Sequence, residues 1–128
     1  MKALTVLLAT SYFAHLGLCD LGVATTYKAP YLPNKCFGSN QAVIPSDRFF
    51  GALGPQMWDN GGNCGRHYQL RCVSAVFAGQ CTGKTVTIVV IEGRLGNRAP
   101  QFSLSPEAAD VIYKGGGRFN VEYQEVAK

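Results

Sequence analysis

Charge is scarce in this chain: 16% of its 128 residues are Asp, Glu, Lys or Arg, against 47% hydrophobic. So little charge beside so much apolar surface excludes intrinsic disorder, because burial can offset the entropy of ordering. Long helix-favouring runs, internal repeats and an interdomain linker are also missing. A helical repeat and a two-domain chain are therefore excluded. The basic residues are scattered and form no stripe, which gives nucleic-acid binding no support. Beyond position 19 no apolar segment approaches the roughly 20 residues of a membrane span, so membrane insertion is not expected. No paired Cys-x-x-Cys occurs and His67 is the only histidine after His15, so zinc is poorly supported and no metal or cofactor is expected. No Asn-x-Ser/Thr acceptor is present, and N-glycosylation is not expected.

Glycine is abundant, with 15 Gly and six Pro, and these predict a turn-rich β protein. The N-terminus pairs Lys2 with a nearly unbroken apolar run from Ala3 to Leu18, and Gly17 and Cys19 place small residues three and one before a cut. Residues 1–19 are thus expected to be a secretory signal peptide, leaving a domain at 20–128. Loss of Lys2 lowers the net charge from +4 to +3, a mild field that suits solubility and also an anionic polysaccharide. The remaining cysteines, Cys36, Cys64, Cys72 and Cys81, are an even set for an oxidising compartment. Four cysteines allow three pairings. The local one, Cys36 with Cys64 and Cys72 with Cys81, would close loops worth roughly 3–4 and 2–3 kcal/mol.

Along the chain, Gly22–Tyr27 reads as a first strand, Pro30–Asn40 as a loop, and Gln41–Ile44 as a short strand ended by Pro45. Ser46 and Asp47 should cap a helical turn through Phe49 and Phe50. Asp59-Asn60-Gly61-Gly62 is a tight-turn signal. His67–Val73 alternates, with Tyr68, Leu70 and Cys72 on one side. Thr85–Ile91 is a β-branched run suited to a strand buried on both faces near its end. Arg94–Gln101 reads as loop. Ser105, Pro106 and Glu107 open a helix through Tyr113 with Ala108, Val111 and Ile112 toward the core. Phe119, Val121 and Tyr123 alternate with Asn120, Glu122 and Gln124 as a closing strand.

Several strings carry a resemblance: Tyr31 with Cys36-Phe37-Gly38, then Met57-Trp58-Asp59-Asn60-Gly61, Cys64-Gly65-Arg66-His67-Tyr68 through Arg71-Cys72, Cys81-Thr82-Gly83, Thr85-Val86, and Phe102-Ser103-Leu104-Ser105. In this order they resemble the plant natriuretic peptides, small secreted relatives of the first domain of expansins, barwin and family-45 endoglucanases. The resemblance spans the chain after residue 19. It implies a mainly β fold, a six-stranded double-psi β-barrel with one or two short helices and an open groove. It also implies the local pairing of the two disulfides. Such relatives carry a third cysteine pair after the central strand; Arg94 and Arg98 stand at those places here. Both partners are missing together, and the loop from Gly93 to Gln101 is expected to be looser than in those relatives.

Inverting hydrolysis of a sugar chain requires two carboxyl groups, one protonated and one ionised, about 6.5–9.5 Å apart. Of the eight carboxylates, Glu107 and Asp110 fall on the helix, Glu122 and Glu125 point outward on the last strand, Asp47 looks like a cap and Asp20 is at the start. Asp59 belongs to a turn, which leaves Glu92, at the end of the central strand, as the best groove-facing acid. In endoglucanases and expansins, by the resemblance, histidine and a catalytic aspartate occupy the places of Gln101 and Ser103. A serine hydroxyl is no general acid at neutral pH. A partner acid near Tyr27-Lys28 is likewise missing, and a Ser103–His67 catalytic pair has no supporting motif. The chain is therefore expected not to be an enzyme.

Two binding readings remain. In one, implied by the resemblance, a monomer acts outside the cell on water and ion balance through a cell-surface receptor or other extracellular protein; the matching positions are Trp58, Asn60, Arg66, Tyr68 and Arg71. Arginine's flat fork suits carboxylate recognition, which favours Arg66 and Arg71. In the other, the chain binds cell-wall polysaccharide without cutting it, with Tyr27, Tyr31 and Trp58 lining a groove where Glu92, Asp59 and Ser103 offer polar groups. Either role places it in the apoplast or wall.

Overall fold

Alternation of apolar and polar side chains on three long strands sets the inside and outside of a barrel. The computed structural model describes residues 19–75 and 79–127; the expected signal segment, residues 1–18, lies outside them. Six strands are described: β1 (Asp20–Thr26), β2 (Phe50–Leu53), β3 (His67–Ala75), β4 (Thr85–Gly93), β5 (Phe102–Leu104) and β6 (Phe119–Val126), with a helix α1 (Pro106–Ile112) between the last two. They close in the order β1-β5-β2-β4-β3-β6. The β1/β5 and β2/β4 pairs are parallel, and the other four are antiparallel.

Tyr68, Leu70 and Cys72 of β3, Val86, Ile88 and Val90 of β4, and Phe119 and Val121 of β6 are buried in the barrel with Leu53, Phe102, Leu104 and Ile112. Each large side chain so placed stabilises the fold by about 1.5–3 kcal/mol relative to exposure. Ser105 starts α1 as expected: its Oγ accepts the Ala108 N–H at 3.2 Å and donates to the Arg48 carbonyl at 2.6 Å. That second bond ties the helix to the segment leading into β2. The helix buries Ala108, Ala109 and Ile112; Val111 is only partly buried, and Tyr113 is already extended. The disulfides are Cys36–Cys64 and Cys72–Cys81, the local pairing.

Three expectations are corrected. Gln41–Val43 is a 3-10 turn, not a strand, because Asn40 caps it by accepting the Ala42 N–H. The helical turn expected through Phe49 and Phe50 is replaced by β2. Asp47 does accept a backbone N–H, from Phe49 at 2.9 Å, but pairing with β4 and β5 on both sides draws the next four residues into the sheet. Glu122 does not point into solvent. It is 5% exposed and forms an ion pair with Arg71 across the β3/β6 ladder. Glu122→Gln removes the charge from this nearly buried acid and is expected to lower stability by about 1–3 kcal/mol. The check is a fall in the denaturant midpoint at unchanged slope.

Candidate functional site

One row of residues crosses four neighbouring strands on the side of the sheet away from the barrel core, its two middle members, Ala52 and Ser103, only 1% and 4% exposed. Thr25 of β1 is opposite Ser103 of β5, Ser103 is opposite Ala52 of β2, and Ala52 is opposite Glu92 of β4. Ser103 faces out because its neighbours Phe102 and Leu104 are core residues. Glu92 owes its direction to a bulge. Strict alternation after Val86, Ile88 and Val90 would turn it inward, but Gly51 pairs with Val90 while Ala52 pairs with Glu92. Ile91 is thus the extra residue, and the strand after it is re-aimed. Glu92 Oε1 accepts the Lys35 N–H at 2.8 Å and its neighbour Gly93's N–H at 3.1 Å, so the acid also holds the loop before β2 against the sheet.

Three rings border the row. Tyr27 and Tyr31 meet edge to face with centroids 5.2 Å apart, and Tyr31 meets Phe50 at 4.8 Å. The Arg48 guanidinium lies 5.8 Å from both the Tyr31 and Phe50 centroids, a cation–π arrangement that fixes the cluster. Tyr31 Oη donates to the Tyr27 carbonyl at 3.2 Å. Tyr27 Oη is buried without a hydrogen-bond partner. Burial first, then the negative Glu92 and then Tyr31, hold the Tyr27 phenol well above its ordinary range.

Tyr31, Tyr68 and Tyr123 are raised too, each chiefly by burial. A phenol harder to ionise folded than unfolded supports the fold below its unfolded value, about pH 10, and loses that contribution as pH rises toward the folded value. Stability should therefore decline above about pH 10, and Tyr27→Phe should remove part of the decline. Glu92→Gln should move a phenolate absorbance step to lower pH. Denaturant midpoints and an ultraviolet titration read both effects.

Two depressions flank the loop from Arg94 to Pro100. One, of about 480 Å³, is lined by Thr25, Tyr27, Asn97, Arg98, Ser103 and Arg118 among others. The other, of about 660 Å³, is lined by Met57, Trp58, Asp59, Asn60, Asn63 and Arg94. Trp58 therefore does not join Tyr27 and Tyr31, contrary to the expected groove lining; its ring is packed on Gly93. Asp59 and Asn60 belong to a 3-10 turn, Asp59–Gly61, with φ of 49° and 50° at these two residues. The positive φ expected of the Asn-Gly pair is present.

The positions matched to the natriuretic string are not gathered in one place. Tyr68 is inside the barrel against Phe102 and Tyr123, so its ring serves the core and is not a surface contact. Arg66 is exposed and pairs with Glu125 at 3.4 Å. Arg71 reaches Glu122 on the β3/β6 wall, across the barrel from β5. His67 stands on β3, separated from Ser103 on β5 by β2 and β4. Arg94 and Arg98 are exposed, one on each depression. Thr25, Asn97 and Arg118 were not singled out from sequence. Alternation on β1 could have marked Thr25; nothing local marks the other two, which arrive through loops.

Among the described residues no group of three or more His, Cys, Asp or Glu side chains could hold a metal ion, and no helix is long and apolar enough to cross a membrane.

No family model matches the chain. Among curated proteins it is similar to EG45-like domain containing protein 2 of Arabidopsis thaliana, 33% identical over 73 residues covering 56% of this chain and 52% of that one. An EG45-like domain containing protein of Citrus jambhiri is 26% identical over 109 residues, covering 81% and 79%. EG45-like domain containing protein 1 of Arabidopsis thaliana is 30% identical over 105 residues, covering 80% of each. Among solved structures, the apo expansin of Clavibacter michiganensis superposes with a TM-score of 0.62 at 19% identity over 86% of this chain and 51% of that one. A variant of that expansin in complex with cellohexaose gives the same score and identity over 85% and 50%. This chain thus spans about half the length of the expansin and of the first Arabidopsis relative. The expansin likeness shows the fold, a double-psi β-barrel, and with 30% identity shared over four-fifths of both chains this protein belongs to the EG45-like domain family.

Proposed function

We propose that this protein is exported by its first 19 residues and that residues 20–128 hold a cell-wall polysaccharide, without cutting it, on the outer row of the β1-β5-β2-β4 sheet. One observation carries the reading: the centre of the row, where a hydrolase would need an acid, is the hydroxyl of Ser103, in register with Thr25 and Ala52. Glu92 is then the only carboxylate of the row, and inversion needs two. What remains is the partly exposed Thr25 hydroxyl, the nearly buried Ser103 at 4% exposure, one acid and the partly exposed rings of Tyr27 and Tyr31, groups that receive sugar hydroxyls and apolar sugar faces. The cellohexaose held by the Clavibacter expansin supports a sugar chain as the ligand. The two disulfides suit an oxidising exterior.

A pull-down on insoluble wall polysaccharides, a neutral glucan and an acidic one side by side, tests this. Retention should persist in high salt and fall about five-fold with Tyr31→Ala, in line with the worth of an aromatic contact. No retention of folded protein would defeat the reading.

The family resemblance, the exposed Asn60 on the larger depression and the exposed Arg66 favour a second reading, in which a cell-surface partner is engaged to adjust water and ion balance. Swelling of plant protoplasts that is lost with Arg66→Ala and kept with Tyr31→Ala would support it.

A further inference from the structure

We propose that the depression beside Ser103 is a subsite for the carboxylate of an acidic sugar, so that the chain held on the row is a uronate-containing polysaccharide rather than a neutral glucan. The inference rests on the groove reading above and narrows its ligand class.

The charge of this depression is one-sided. It is lined by Arg98 and Arg118 and by no acidic residue. The acids of the described residues are engaged elsewhere. Glu107 pairs with Arg48, Glu125 with Arg66, Glu122 with Arg71 and Asp110 with Lys114. Asp47 accepts a turn N–H, Asp59 lines the other depression, and Glu92 lies at the far end of the row holding the Lys35 N–H. Asp20, opposite Tyr123 at the start of β1, lies five residues before Thr25. Arg98 and Arg118 accordingly make no ion pair among the described residues.

They are nonetheless placed. Arg118 Nη2 donates to the Arg98 carbonyl at 2.8 Å, which ties the approach to β6 to the loop before β5 and sets both guanidinium-bearing segments side by side. Thr25 and Ser103 add hydroxyls to the lining. Two arginines and two hydroxyl residues lining one depression are groups that can bind a carboxylate. An aspartate at position 103 would cancel part of that field. The serine that removes hydrolytic chemistry therefore also makes the site receptive to an anion.

The test is calorimetric titration of the intact secreted protein with three probes of equal length: oligogalacturonate, its fully methyl-esterified form, and a cello-oligosaccharide. Oligogalacturonate should bind at least about ten-fold tighter than its ester at low salt. Arg98→Gln and Arg118→Gln should each weaken it roughly ten-fold while leaving the ester unchanged. Lys84→Gln, an exposed cation at the other end of β4, should have no effect. Equal affinity for acid and ester, with measurable binding, would overturn the uronate subsite and leave the groove reading standing. A loss as large for Lys84→Gln as for the two arginines would overturn it in favour of diffuse attraction. Failure of all three probes to bind folded protein would overturn both readings.

Discussion

Gly93→Ala should lower folding stability by about 3 kcal/mol and the melting temperature by more than about 10 °C. Gly93 closes β4 and is buried. A methyl group there would sit 1.9, 2.2 and 2.5 Å from three atoms of the Trp58 ring, well inside contact distance. The indole is rigid, 8% exposed, and set between Met57 and the Asp59–Gly61 turn, so making room for the methyl group means shifting the whole ring toward the depression it lines. Relief by a smaller ring identifies the cause: Trp58→Leu should cost stability alone yet recover part of the loss in the Gly93→Ala background, a coupling that a double-mutant cycle reads directly. A Gly93→Ala protein within about 0.5 kcal/mol of wild type would show that the tryptophan is not seated on this glycine.

The second large effect comes from Cys36→Ser with Cys64→Ser. This bridge spans 28 residues, and its removal should cost about 3–4 kcal/mol, against about 2–3 kcal/mol for the 9-residue span of Cys72–Cys81. The two should also differ in function. Cys36 anchors the loop that carries Tyr31 over Phe50 and Lys35 onto Glu92, so opening the first bridge should weaken polysaccharide retention at temperatures where the variant remains folded. The second bridge ties the end of β3 to the start of the β4 connection, across the barrel from the row, and its loss should leave retention intact. Equal losses of retention from both variants would break the link between the Cys36 loop and the site.

The long strands were legible because each has one buried face: Tyr68, Leu70 and Cys72 alternate with polar partners, as do Phe119 and Val121. The α1 start was legible because Ser105, Pro106 and Glu107 each have a local reason to stand there. β2 was not legible. All four of its residues are buried, so it has no alternation, and two of them are Gly51 and Ala52, whose small size reflects close strand packing. A Cβ on Gly51 would sit 2.8 Å from the Ser103 carbonyl. Glu122 misled because alternation alone sends it outward, and only pairing of β3 with β6 brings Arg71 beside it. Elimination among the carboxylates pointed to Glu92 and the family resemblance to Ser103, but their common row depends on the bulge at Ile91, which no residue type announces. Arg98 and Arg118 are twenty positions apart in loops, and sequence gave no reason to place them together.

The most direct measurement counts bound protein and released reducing ends in one incubation of highly purified protein with wall glucan and acidic wall polysaccharide. The account expects bound protein with no reducing ends above a blank. Reducing ends that accumulate with time and disappear with Glu92→Gln or Asp59→Asn would contradict it, since a carboxylate of this chain would then be acting as a catalytic acid although Ser103 stands at the centre of the row.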